Sequence, residues 1–312
     1  MNEPNPLPMQ GVVHLSHWGV ICAQGSDAAS FLQGQLTQDV QQLDQHSTRL
    51  AGFCNAKGRL LASLLIWHPE PDQFLMLCSA DLLPATLKRL SMFVMRAKCK
   101  LSDASASLAV YGLSGDTATR WLGTSAPPAA GRCTAATGGQ ALRLGDVAGT
   151  ARYLWVQATD AAAPPLPALA AEAWEWLEVG SGVARIVAAT AEHFVPQMVN
   201  FELVGGVSFQ KGCYPGQEVV ARSQYRGSIK RRAFVVESAG AAHPGQEVFH
   251  SADAAQPAGR VVNASSWAGS TLALVEVKLA ALETGSLHLG ASEGPLLSLA
   301  PQPYAVNIDV TE

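Results

Sequence analysis

The chain has 312 residues, a net charge of −4 and only 15% charged side chains. That length supports two or three domains with good cores. With no basic run longer than Lys230-Arg231-Arg232, the charge argues against a general nucleic-acid surface, which needs dense phosphate neutralisation. No apolar stretch approaches the length of a membrane span. Residues 1–10 lack the basic and apolar regions of a signal peptide. Six cysteines (Cys22, Cys54, Cys78, Cys99, Cys133 and Cys213) are scattered with no CxxC pair. A zinc or iron–sulfur site is therefore unsupported, and reduced thiols in a cytoplasmic protein are expected.

In chain order, Gly19 to Ala23 reads as a strand. Gly25-Ser26-Asp27 then supplies a turn and a helix cap ahead of Phe31, Leu32, Gln35 and Leu36 at helical spacing. Arg49 to Cys54 and Arg59 to His68 flank Asn55-Ala56-Lys57-Gly58 as a β-hairpin. Gln73 to Ser79 is a strand and Leu82 to Lys98 a helix, with Pro84 in its first turn. Leu108 to Leu113, Gln140 to Leu144 and Tyr153 to Ala158 are strands, and Asp116 to Leu122 is a short helix. Pro164, Pro165 and Pro167 mark residues 161–168 as a linker, after which Leu169 to Leu177 is helical. Gly205-Gly206 reads as a turn into a strand at Val207-Ser208-Phe209. From Lys230 onward, short strands separated by Gly240, Pro244, Gly259 and Gly269 have the pattern of a small antiparallel barrel or jelly roll.

The chemistry concentrates in Lys211-Gly212-Cys213-Tyr214-Pro215-Gly216-Gln217-Glu218, followed by Arg222. Gly212 and Gly216 permit a sharp turn that exposes the Cys213 sulfur. Lys211, Arg222 and Arg226 are placed to favour its thiolate; the alternative is a small apolar cysteine filling the core. No catalytic triad, Walker loop or dinucleotide fingerprint is present, so any chemistry rests on a bound cofactor and Cys213.

The octet resembles the K-G-C-[FY]-x-G-Q-E signature of the YgfZ family of folate-binding proteins, related to the glycine cleavage T protein, an aminomethyltransferase. Gln33-Gly34-Gln35-Leu36-Thr37-Gln38-Asp39-Val40 and Cys54-Asn55-Ala56-Lys57-Gly58-Arg59 resemble that family's early segments, and Phe194 to Asn200 resembles its F-[IV]-P-Q-x-x-N segment. The resemblance implies that Asp39 contacts folate, since a carboxylate can accept two hydrogen bonds from an amino-pyrimidinone edge; a turn carboxylate after a helix is the other reading. It implies Trp18 and Trp174 as stacking partners. Gln197 and Asn200 supply carboxamides for a heteroaromatic edge, and Gln217, Glu218 and Arg222 complete the expected site. Lys57 and Arg59 are either loop charges or a cationic seat for the glutamate tail.

The implied fold is α+β, with three domains around a folate channel: residues 10–55 plus 165–227, an inserted ferredoxin-like unit at 56–164, and a β-barrel at 228–312. The implied function is tetrahydrofolate binding in support of iron–sulfur enzyme assembly or repair, and through those client enzymes of tRNA modification. Cys213, Lys211 and Asp39 would be its reactive groups. A folate-dependent aminomethyltransferase or demethylase is the alternative, and the cysteine octet, which the transferase relatives lack, separates the two. Neither membrane association nor strong direct nucleic-acid binding is expected.

Overall fold

The computed structural model of the protein describes residues 9–136, 138–225 and 229–306. The chain begins with β1 (Gly11–His14), β2 (Trp18–Gln24) and the short helix α1 (Ala28–Gln33). An antiparallel meander follows, β3 (Thr48–Cys54), β4 (Leu60–Glu70) and β5 (Gln73–Ser79), and α2 (Leu83–Val94) returns the chain to β6 (Lys100–Asp103). Next come β7 (Leu108–Ser114), α3 (Gly115–Leu122), β8 (Cys133–Ala136), β9 (Gly139–Arg143) and β10 (Arg152–Ala158). Helices α4 (Ala171–Gly180) and α5 (Gln217–Tyr225) precede β11 (Arg231–Ser238), β12 (Glu247–His250), β13 (Asp253–Trp267), β14 (Ser270–Lys278), β15 (Leu287–Leu289) and β16 (Leu296–Leu299).

Two five-stranded sheets, ordered β1-β7-β10-β9-β8 and β3-β4-β5-β2-β6, stand beside a closed barrel ordered β11-β14-β13-β12-β15-β16. This is the expected α+β class with its C-terminal barrel. Val20, Leu65 and Leu77 of one sheet pack against Val110, Leu142 and Leu154 of the other. Trp67 crosses the gap to donate its indole N–H to Gln140 Oε1 at 2.6 Å. The opposite face of the β3–β4–β5 sheet packs on α1, α2 and the outside of the barrel through Val235, Leu272 and Leu274. In β11 the period-2 alternation is explicit: Phe234 and Val236 fill the barrel while Ala233 and Val235 face the neighbouring sheet. Burying both faces of that strand locks the barrel to the rest of the chain.

Several expectations need correction. The proposed boundary at 55/56 falls inside a paired hairpin, with register from Thr48↔Trp67 to Cys54↔Leu60. Residues 48–79 therefore belong to one sheet, and no division falls there. The proline-rich linker is docked rather than free: Val12 N donates to Pro167 O and Leu169 N to Val12 O, both at 2.8 Å. Asp27 occupies the N-cap position of α1, but its side chain makes no cap hydrogen bond there; its Oδ2 accepts the Lys98 N–H at 2.7 Å and ties down the turn after α2. That helix ends at Val94, where Met95 takes a positive φ of 43°. Val207 to Phe209 is not a strand, although Ser208 N donates to Thr37 O. The strands missed in the sequence, β1, β6 and β8, are all four-residue edge strands. Edge strands are short and half-wet, so their alternation is faint.

Candidate ligand cavity and thiol patch

Where the two sheets meet the C-terminal end of α4 there is a cavity of about 640 Å³, a volume typical of small-molecule sites. Leu50, Leu65 and Leu154 form an apolar wall, Trp18 adds an aromatic face, and Pro303 and Tyr304 close one side. Five arginines (Arg49, Arg132, Arg143, Arg152 and Arg185) share this lining with two carboxylates, Asp146 and Glu178. The wall thus carries an excess of three positive charges in a chain whose net charge is −4.

Glu178 organises this wall. It lies one helical turn after Trp174, a spacing that brings the two side chains together on α4. Its Oε1 accepts the indole N–H of both Trp174 and Trp18, each at 3.0 Å. Its Oε2 lies 3.4 Å from His17 Nε2 and 3.6 Å from Arg185 Nε. Burial alone would raise its pKa, but His17, Arg185 and the Trp174 N–H outweigh that and hold it at about 2. The Arg185 guanidinium lies over the Trp18 ring at 5.6 Å and donates to Ser79 Oγ at 3.2 Å. Trp18 is therefore clamped edge-on and face-on with part of its surface left to the cavity. Arg152 is fixed by the carbonyls of Gly145 and Leu177, at 3.0 and 3.2 Å, and burial draws its pKa down to about 10. Arg49 has no ion-pair partner among the described residues. A flat aromatic ligand with an anionic tail matches this donor set.

The octet forms a separate patch. Gly216 has φ +79°, and a Cβ there would fall 2.4 Å from Asn55 O and 2.6 Å from Gly58 Cα. Gly58 itself has φ +70°. Two glycines thus let the octet turn sit directly on the β3–β4 loop, which explains why both motifs need them. Gly212 differs: among the described residues a Cβ there meets nothing within 4 Å, and its φ is not positive. Tyr214 is buried, with Lys211 Nζ 5.0 Å from its ring centroid. That ammonium donates to the carbonyls of Gln33 and Leu36, satisfying the C-terminal end of α1. Burial draws the Lys211 pKa down to about 8, against the opposing charges of Asp39 and Cys213. Cys213 is exposed. Burial pushes Cys54 and Cys78 up to about 12 and Cys133 to about 11.

Of the expected site residues, Trp18 reaches the cavity wall. Gln38 reaches it as well, its Nε2 bonded to Gly205 O at 2.5 Å. Asp39, next in sequence, lies outside that wall, but its Oδ1 is buried with no hydrogen-bond partner among the described residues. Trp174 cannot stack on a ligand: it is fully buried in a slot kept open by Gly112, where a Cβ would approach the ring to 2.6 Å. Gln197 and Asn200 are buried and bond main-chain carbonyls of Val220 and Ala233, at 2.8 and 2.6 Å. Lys57 is exposed on the β3–β4 loop, and Arg59 donates to His193 O. Gln217 bonds back to Gly212 O at 3.5 Å. Glu218 and Arg222 pair with each other at 2.6 Å on the exposed side of α5. Arg226 lies outside the described residues. Lys211 and Cys213 are absent from the cavity lining, so sulfur and cavity do not share one wall. Arg49, Glu178 and Tyr304 lie outside the expected set. The Trp174-to-Glu178 spacing is the one local signal that could have found any of them.

A family profile described as the GCVT N-terminal domain matches residues 9–136. A tRNA-modifying protein YgfZ from Photobacterium profundum is 33% identical over 242 residues, covering 74% of this chain and 70% of that one. Its counterpart from Photorhabdus laumondii is 29% identical over 312 residues, covering 96% and 94%. The crystal structure of glycine cleavage system aminomethyltransferase T from Bartonella henselae superimposes with a TM-score of 0.73, over 94% of this chain and 86% of that one. At 15% identity that likeness is one of fold. Two sheets and a closed barrel in a glycine cleavage T-like architecture agree with a relative 33% identical over 74% of this chain, and the chain belongs to the YgfZ family.

Proposed function

We propose that this chain is a tetrahydrofolate-binding protein of the cytoplasm that supports assembly or repair of iron–sulfur enzymes, and through them tRNA modification. The observation that carries this reading is the cavity wall itself: a clamped indole beside a surplus of arginines. An offset-stacked ring on Trp18 gains about 1 kcal/mol beyond its area burial. Arg49, unpaired among the described residues, is suited to a tail carboxylate, because a guanidinium binds a carboxylate in bidentate fashion. Bound folate would supply a one-carbon carrier or a redox-active pterin. The chain's own residues orient it: Glu178 and Arg185 hold the Trp18 ring from its edge and from a face, and the Pro303–Tyr304 segment closes one side of the cavity. The unsatisfied Asp39 Oδ1 is a ready acceptor between this cavity and the octet.

Cys213 would act on the client's cluster, its exposed sulfur forming a bond to iron as one client cysteine thiolate leaves that iron and takes up the proton that Cys213 gives up. Tryptophan fluorescence tests the binding half. Tetrahydrofolate should quench it, and Trp18→Ala should weaken binding about tenfold, as expected for a lost stacking platform. Unaltered affinity in that variant would remove the cavity assignment. Rescue of an iron–sulfur client by wild type but not by Cys213→Ala tests the other half. Formation of methylene-tetrahydrofolate from an aminomethyl donor would instead identify a transferase.

A further inference from the structure

The amphipathic helix α2 presents an unusual outer face. Its inner face is ordinary: Leu83, Thr86 and Leu90 are buried on the β2–β6 side. Lys88, Arg89, Met92 and Phe93 recur at i, i+1, i+4 and i+5, and so share the opposite face. All four are exposed, Met92 at 70% and Phe93 at 44%. Met95 follows at 88% exposure, in a backbone conformation (φ 43°) that non-glycine residues rarely adopt. Arg96, Lys98 and Lys100 continue the surface, and all three are exposed. Between Leu82 and Ser102 the chain has five cations and no acid, although its net charge is −4. None of the five has an ion-pair partner among the described residues.

Cations beyond a helix C-terminus are favourable against its dipole, which accounts for Arg96 and Lys98. The dipole does not account for Lys88 and Arg89, which lie a turn or more inside the helix, or for three large apolar side chains held in water. From this juxtaposition we infer that the outer face of α2, centred on Met92, Phe93 and Met95, is a docking surface for another protein that presents an apolar patch rimmed by Asp and Glu. An apolar centre rich in Met and aromatic residues, with a charged rim, is the anatomy of a protein interface. Methionine adapts to differently shaped partners. Exposed sulfur-containing chains give little to a phosphate backbone, and a single apolar turn is shallow for insertion among lipids. The cationic rim sets partner choice and speeds encounter. This surface is independent of the folate cavity and of Cys213.

The test is photo-cross-linking in cells with the full chain carrying Phe93→p-benzoylphenylalanine, followed by identification of the cross-linked species and mapping of the contact. The expected product is another protein joined at an acidic, apolar-centred surface. Its yield should fall about tenfold when Lys88→Glu and Arg89→Glu are added, as opposed charges at a rim become like charges. Met92→Asp, a surface change expected to leave the thermal midpoint intact, should reduce it as far. Cross-links to RNA, to lipid or to a second copy of this chain would overturn the inference. So would a yield indifferent to the charge reversals, or no cross-link at all.

Discussion

The cavity and the thiol patch are built on opposite principles. The cavity draws Trp18, Arg49, Arg152, Glu178 and Tyr304 from β2, β3, β10, α4 and the C-terminal segment, so it exists only once the whole chain has folded. Its polar groups restrain one another, as the Glu178 carboxylate shows with its two indoles, His17 and Arg185. The thiol patch is local: a few residues turn on Gly216 against the β3–β4 loop and leave Cys213 in solvent. Rigid recognition and accessible reactivity make conflicting demands on a side chain, and the function proposed above assigns them to two different places. The chain segment at Gln38 and Asp39 is the connection, since Gln38 lines the cavity and the charge of Asp39 acts on Lys211.

That contrast can be broken most forcefully at Glu178. Glu178→Ala leaves two indole N–H groups without their acceptor and the partly buried Arg185 guanidinium without its carboxylate, and should cost about 2–3 kcal/mol in urea denaturation. A cost below about 1 kcal/mol would mean the cavity wall is not held as described. The same residue predicts a pH dependence. Its folded pKa of about 2 lies below the ordinary 4.5, so its contribution is complete above the unfolded value. It is lost as pH falls through the folded one, amounting to a few kcal/mol. Glu178→Gln should flatten the acid limb between these two values.

A smaller effect sharpens the patch. Gly216→Ala forces a Cβ into left-handed backbone and against Asn55 O, and should destabilise by about 1–3 kcal/mol. Gly212→Ala, in the same motif but with open space around it, should stay within about 0.5 kcal/mol of wild type. Equal effects from the two glycines would contradict the turn geometry. Lys211 should show a pH trend of opposite sense to that of an ordinary lysine ion pair. Its folded pKa of about 8 lies below its ordinary 10.5, so the penalty of burying the ammonium is full below 8 and eases as pH rises through the interval between them. Stability of Lys211→Met should lack that rise. Smallest of all, Cys213→Ser should alter stability by less than about 0.5 kcal/mol, because an exposed thiol packs against little.

The patch was legible in sequence because its parts are contiguous and its glycines carry a steric meaning. The barrel was legible as a class because turn residues punctuate its strands, but its order was not: only β12–β13, β13–β14 and β15–β16 of its six pairs join consecutive strands. The cavity was not. Arg49 looks like any half-exposed strand residue, and Tyr304 lies in a coil with no periodicity. Trp174 illustrates the opposite error, since an indole beside a binding wall and an indole behind it look alike until Gly112 places one of them in the core. Lys211 sits two residues from the sulfur in sequence, yet its ammonium donates to Gln33 O at the end of α1 and to Leu36 O just beyond it. Side-chain direction, invisible in a motif, decided each case.

The division of labour is tested most directly by calorimetric titration of tetrahydrofolate into wild type, Cys213→Ser and Trp18→Ala. The account predicts that Cys213→Ser binds as wild type does, while Trp18→Ala binds about tenfold more weakly. Loss of binding in Cys213→Ser with full affinity retained in Trp18→Ala would contradict it.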